Sequence, residues 1–195
     1  YDSNISNIVV DGVKMLNGEQ VAAGFIVENM ANNISGIMVE NMENNISNIT
    51  VKNIDVIQAY SDGYLATAGG FIGILNNYIS GVSNISNVIL SNIGTIKTSE
   101  TNPPTKPDSG HGKYLAGTGG FIGYSVGSYN IYNVDIKNIG IIEGDRAVGG
   151  FIGMVFDEIY STPQNLNVNY ANISLSNIDS IKSYGSSNGY RGAGG

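Results

Sequence analysis

The pentapeptide GGFIG occurs at residues 69–73, 119–123 and 149–153, with a degenerate copy, AGFIV, at 23–27 and a bare Gly pair at 194–195. No other feature constrains the fold as tightly, because a unit copied along a chain stacks on its neighbours instead of closing around one central core. Phe25, Phe71, Phe121 and Phe151 are spaced by 46, 50 and 30 residues. An interval that varies while its ends are kept implies inserted material at a tolerant surface loop in each unit.

Between the glycine signals runs ISNVILSNIGTI at 85–96, with copies at 46–57, 131–142 and 170–181 and partial copies beginning at Ile5 and Ile34. Its apolar positions, i, i+3, i+5, i+8 and i+11, match neither a 3.6-residue helix nor an unbroken strand of period 2. Short strands joined by bends produce that spacing. Val88 and Leu90 then form one inward pair, Asn92 stands at a corner, and Ile93 and Ile96 face inward on the next segment. Ile and Val dominate the apolar positions, and β-branched side chains suit a pleated surface better than a helix. Helix is expected only over 21–29. The predicted fold is therefore all-β: a parallel β-solenoid, or β-helix, of about five repeat units, with a loop insertion before each GGF. Residues 1–195 read as a single repeat domain. The opening at Tyr1 and the stop inside a GGF signal read as a fragment of a longer array.

Three glycine and phenylalanine pairs are the structural signature of the repeat: Gly70 with Phe71, Gly120 with Phe121, and Gly150 with Phe151. Paired glycines are expected to turn the chain through positive φ and to let neighbouring units approach without Cβ contact. The rings should point inward and stack in one column. A phosphate-binding loop would need a following helix and a Lys-Ser/Thr pair, which the motif lacks. Asn87, Asn133 and Asn172, and likewise Asn92, Asn138 and Asn177, recur at matching positions. They either form amide ladders along the stack or serve as left-handed corners.

The chain is 13% charged and 42% hydrophobic, with 27 Gly, no Cys and a net charge of −7. Charge is thus about half the usual share, so solubility rests on Asn, Ser and Thr. Neutral polar faces suit a parallel stack, since like charges about 4.8 Å apart would repel. Nine scattered Lys and Arg do not form the basic face that nucleic acid or an anionic membrane requires. No apolar run approaches the roughly 20 residues of a membrane-spanning helix. The lack of Cys fits export.

Catalytic constellations are not expected. His111 stands alone in a Pro- and Gly-rich loop, and Asp157 and Glu158 are adjacent, so on a strand they point to opposite faces. Asp135 with Lys137, and Glu143 with Asp145 and Arg146, read as solvated surface charge. No metal-ligand spacing occurs, and no catalytic residue, metal site or cofactor is predicted. The insertions ahead of GGF carry Tyr64, Tyr114 and Tyr190 at nearly one offset. A row of tyrosines either supplies a ligand-facing strip, flat rings with a hydroxyl, or folds back over the unit edge. Asn4 and Asn45 head Asn-x-Ser/Thr triplets with an acidic residue two positions earlier, at Asp2 and Glu43, and are candidate glycosylation sites.

GGFIG followed by IxNV/IxL and a further Gly resembles the GLUG-type and haemagglutinin-type repeats of large bacterial surface and secreted proteins, including passenger regions of type V secretion systems. The resemblance implies a right-handed parallel β-helix outside the cell that presents an adhesive surface. The resulting expectation is a non-enzymatic structural and adhesive segment, extracellular or on the bacterial surface, that displays loops on a stiff rod. Its expected partners are a host or neighbouring-cell glycan or protein, or other copies of itself, with no nucleic acid and no membrane insertion. The alternatives are a self-assembling subunit of an extracellular filament or surface layer and part of a carbohydrate-active β-helix enzyme.

Overall fold

A computed structural model describes residues 3–30, 42–62, 66–101, 117–156, 167–184 and 192–194. Among them every helix or strand element is a β-strand: β1 (Ser3–Glu19), β2 (Val21–Ala23), β3 (Ile26–Met30), β4 (Met42–Asp62), β5 (Thr67–Gly69), β6 (Ile72–Thr101), β7 (Gly117–Gly119), β8 (Ile122–Gly144), β9 (Ala147–Gly149), β10 (Ile152–Phe156), β11 (Val168–Ser183) and β12 (Gly192–Gly194). All pairings between them are parallel. One seven-stranded sheet runs β1-β4-β6-β8-β10, with β3 also on β6 and β11 also on β8; a five-stranded sheet runs β12-β9-β7-β5-β2.

Register follows the repeat. Ile8, Ile49, Val88, Val134 and Ile173 share one column, and Val10, Val51, Leu90, Ile136 and Leu175 the next. A one-residue slip would turn every such side chain to the opposite face, so a conserved apolar spacing in each copy locks the pairing. The interior columns are dry: Val88, Leu90 and Ile96 are wholly buried, while Ile89, between the first two, is 42% exposed. The spacing read from the sequence thus places its inward residues correctly.

The three-residue steps in that spacing arise at left-handed residues. Asn48, Asn87, Asn133 and Asn172 have φ of 54–57°, and Asn53, Asn92, Asn138 and Asn177 have φ of 53–56°. One residue in that conformation bends an extended chain and resets its alternation, so Ile85 and Val88 both face inward across Asn87. Asn tolerates this backbone better than other residues with a Cβ. In the first unit Gly12 takes the equivalent place, with φ 74°.

Residues 21–29 are not helical. They form β2 and most of β3, which pair with β5 and β6. Backbone pairing with the neighbouring unit outweighs helix propensities of a few tenths of a kcal/mol per residue, a figure of about that size. The paired glycines differ from expectation as well: among the described residues only Gly12 and Gly127 are glycines with positive φ. The GGF glycines serve close approach alone. A Cβ on Gly24, Gly70 or Gly120 would overlap the carbonyl oxygen of Gly70, Gly120 or Gly150 in the next unit. The first glycine is crowded from within its own unit, since a Cβ on Gly69, Gly119 or Gly149 would overlap the carbonyl oxygen of Ile72, Ile122 or Ile152, whereas the degenerate first copy carries Ala23 at that position.

Candidate functional site

The GGF corner is a column of backbone bonds with a column of rings beside it. Gly24, Gly70 and Gly120 donate their N–H to the carbonyls of Gly69, Gly119 and Gly149 at 3.3, 3.1 and 3.0 Å. Phe25, Phe71 and Phe121 donate to the carbonyls of Phe71, Phe121 and Phe151 at 3.1, 2.9 and 2.8 Å. Without a Cβ between them the layers close to hydrogen-bonding distance, and the phenyl rings follow. Their centroids lie 5.3, 4.9 and 5.2 Å apart from Phe25 to Phe151, with interplanar angles of 12° or less. Such offset stacks add about 0.5–1.5 kcal/mol each to the burial of the rings.

Asn at the corners does both things weighed above. Asn48, Asn87, Asn133 and Asn172 form one ladder, each Nδ2 donating to the Oδ1 of the preceding unit, from Asn172 down to Asn7, at 3.0–3.3 Å. Asn177, Asn138, Asn92 and Asn53 form a second, whose last donor reaches Asp11 Oδ1 at 2.7 Å because Gly12 has no amide to offer. A third ladder, Asn169, Asn130, Asn84, Asn45 and Asn4, has spacings of 2.7–3.1 Å. It was legible in the matching positions of these residues but was missed. Asn45 Nδ2, the atom a glycan would take, is engaged on Asn4.

Asp11 sits at the foot of the second ladder. The hydrogen bond from Asn53, then the bond from Lys52, whose Nζ lies 3.2 Å away, hold its carboxyl below the usual carboxylate range.

Insertions enter at two places in the unit, not one. The first lies ahead of GGF, between the long strand and the three-residue strand. Residues 63–66 and 102–116 occupy it in two units, whereas Asp145 and Arg146 alone fill it between β8 and β9, and Gln20 alone between β1 and β2. The prediction of a loop before each GGF therefore fails for the first and fourth units. The second place follows the strand after Phe. There β3 and β4, and β10 and β11, are separated by residues 31–41 and 157–167, and four residues of β6 lie between Asn77 and Val82, whereas their partners Gly127 and Ser128 in β8 are consecutive. Asn77 spans that step: its Nδ2 donates to Ser128 O at 2.6 Å and its Oδ1 accepts from Ser83 Oγ at 3.0 Å. Nearby, wholly buried Tyr129 shares hydroxyl hydrogen bonds with Ser125 at 3.0 Å and Tyr170 at 2.9 Å. Partial burial, which leaves 44% of the residue exposed, and then the bond to Tyr129 push the Tyr170 phenol above its ordinary range.

The charges at the first insertion edge are not simply solvated. Arg146 Nε lies 3.0 Å from Glu100 Oε2, with the Glu100 side chain 1% and the Arg146 side chain 19% exposed. Glu100 also accepts from Ala66 N at 3.3 Å, and its own N–H donates to Asp145 Oδ2 at 2.7 Å. This network ties together the ends of β6 and β8 and the start of β5. The partner, Glu100, comes from another unit, which is why reading Asp145 and Arg146 locally missed it. Asp135 and Lys137 form an exposed pair at 2.7 Å.

Tyr64, Tyr114, Tyr190 and His111, and the Asp157 and Glu158 pair, lie outside the described residues. Tyr60 and Tyr184, at the end of their long strands beside the same edge, are 45% and 59% exposed. Tyr184 donates its hydroxyl to Glu143 Oε2 at 2.7 Å, and that bond raises its phenol above the ordinary range. Among the described residues no cluster of His, Cys, Asp or Glu could hold a metal ion, and no helix is long and apolar enough to cross a membrane. No family model matches this chain, and no curated protein and no solved structure matches it.

Proposed function

We propose that the chain is a segment of a parallel β-solenoid that acts mechanically and by display, without catalysis: a stiff scaffold in an extracellular or surface-anchored bacterial protein, holding loops at fixed heights for attachment. One observation carries this reading. At both insertion places the same molecule holds a long and a minimal version, so the stack closes without the loops. Residues 102–116 stand where Asp145 and Arg146 suffice one unit later. Loops that folding does not need are free to serve recognition.

The ladders and the ring column supply stiffness, since each unit is tied to the next by backbone, amide and aromatic contacts at once. Each further repeat lengthens the stack by about 4.8 Å. A low charge content and the absence of Cys suit a chain threaded unfolded through an export route. The adhesive partner is a glycan or protein on a neighbouring cell.

Replacing residues 102–116 with the two-residue connection of the fourth unit tests the division of labour. The shortened chain should unfold at the denaturant midpoint of the parent within about 1 kcal/mol, the small cost of loop length, while binding to intact cells or a glycan array is lost. Loss of folding, or binding that survives this replacement, would overturn the display reading.

A further inference from the structure

We infer that one side wall of the stack is a second attachment surface, and that it takes the solid face of an uncharged polysaccharide. The inference rests on the stacked-repeat reading above and not on the loops. Three consecutive interior units build this wall from residues 45–48, 84–87 and 130–133, which read NISN, NISN and NIYN and stand in register. The Ile of each is buried in the core, so by strand alternation the residues on either side of it face outward. Asn48, Asn87 and Asn133, at the corner, are exposed.

Two amide ladders therefore run up the wall, with the single column of Ser47, Ser86 and Tyr132 between them. Each amide spends one N–H and one acceptor site on its ladder, whereas an Asn side chain has two of each. The remaining donors and acceptors recur at one interval of about 4.8 Å, and the ladder bonds keep them from turning independently. Tyr132 is 40% exposed in the middle column. Its flat ring and hydroxyl suit the C–H face and the hydroxyls of a sugar.

Charge narrows the partner. None of these three columns holds a charged residue in these units, although the chain carries −7 overall and Lys52, Asp135 and Lys137 lie just past the corner. Nucleic acid and anionic lipid need a basic face. A peptide strand finds no free edge to pair with, because β6 already lies between β4 and β8. A surface dense in neutral hydroxyls, itself fixed at a regular spacing, matches both the chemistry and the rigidity of the wall. Each contact is weak, and the gain comes from making many at once. A dissolved oligosaccharide would have to be ordered on the wall at its own entropic cost, so the wall is silent towards isolated glycans and that task stays with the loops.

Depletion of the 195-residue chain onto microcrystalline cellulose and onto insoluble chitin tests this. The parent should partition onto at least one of the two solids. The chain with residues 102–116 replaced should do so equally, which separates the wall from the loops. Tyr132→Ala removes the ring, and Ser47→Glu sets a charge between the ladders without touching an amide; each should lower the partition coefficient about fivefold, the scale of one aromatic contact. Tyr132→Phe should keep most of the binding, and Gln58→Glu, outside these columns, should leave it unchanged. Urea midpoints establish which variants fold as the parent does, and either Tyr132→Ala or Ser47→Glu decides the matter if the other does not. Retention on neither solid, retention that a folded wall variant leaves unchanged, or an equal loss at Gln58→Glu would overturn the proposal. Failure of the loop replacement to abolish cell binding would count against the display reading alone, whereas loss of the inter-unit registry tested by cross-linking below would remove the wall itself.

Discussion

Phe121→Ala and Phe25→Ala should differ in cost by about a factor of two, and the difference is set by position in the ring column. Phe121 is wholly buried, with one ring at 4.9 Å and another at 5.2 Å. Phe25 is partly buried and has one stacked neighbour, at 5.3 Å. Removing a buried Phe costs about 3–5 kcal/mol including the cavity, and each stacked pair contributes about 0.5–1.5 kcal/mol beyond burial. The measured range for a buried Phe already contains its ring contacts, so Phe121, fully buried with two stacks, belongs at the top of it, about 4–5 kcal/mol; Phe25 loses part of the transfer contribution and one stack, about 2 kcal/mol. Urea unfolding followed by circular dichroism reads both as shifts in midpoint at unchanged slope. In a stack, loss of an internal ring should also split the transition, because each unit is stabilised only by its neighbours. Equal losses at the two sites, or a larger loss at Phe25, would refute the column as a source of stability.

Gly70→Ala should unfold or severely destabilise the chain, by about 3 kcal/mol or more, since its Cβ meets the backbone carbonyl of Gly120 in the next unit; thermal unfolding measures it, and Gly12→Ala, with open space around it, should cost only the left-handed penalty of about 1–2 kcal/mol. Glu100→Gln should cost about 3 kcal/mol by leaving Arg146 short of charge in a mostly buried setting. The Glu100→Gln/Arg146→Met double variant should cost less than the sum of its single changes. Asp11 should titrate by NMR below an unfolded-chain Asp. A carboxyl with a depressed folded pKa contributes stability that is present above the unfolded value and lost as pH falls through the folded one, so Asp11→Asn should flatten stability only on the acid side, below about pH 4.

Much of the fold was legible because each inward position recurs in every copy: Ile85, Val88, Leu90, Ile93 and Ile96 state their own spacing. The Asn corners were legible as positions but not as a choice between two roles, because the left-handed backbone and the amide ladder occur together at Asn87 and its equivalents. Gly70 illustrates the opposite limit. Positive φ and close approach both select glycine, and only the neighbouring carbonyl shows which applies. Residues 21–29 carry the Ala and apolar content of a helix, and the pairing that makes them strands lies dozens of residues away. The Glu100 and Arg146 pair was hidden for the same reason, since its two members belong to different units and meet only when these stack. The tyrosines chosen from spacing lie in the insertions, whereas Tyr60 and Tyr184, at the ends of long strands, lacked the glycine context that drew attention to the others.

Registry between units underlies every column described above, and because the sequence has no Cys, engineered disulfides can map it. Thr50 and Ile89 are register partners in neighbouring units, and Asp135 is the next residue in that column. Neighbouring positions lie about 4.8 Å apart, within reach of a disulfide, and positions two units apart lie roughly twice as far, beyond it. Under mild oxidation Thr50→Cys/Ile89→Cys should form an intramolecular disulfide in high yield, and Thr50→Cys/Asp135→Cys should not. Failure of the first pair, or equal cross-linking of the second, would contradict the stacked arrangement.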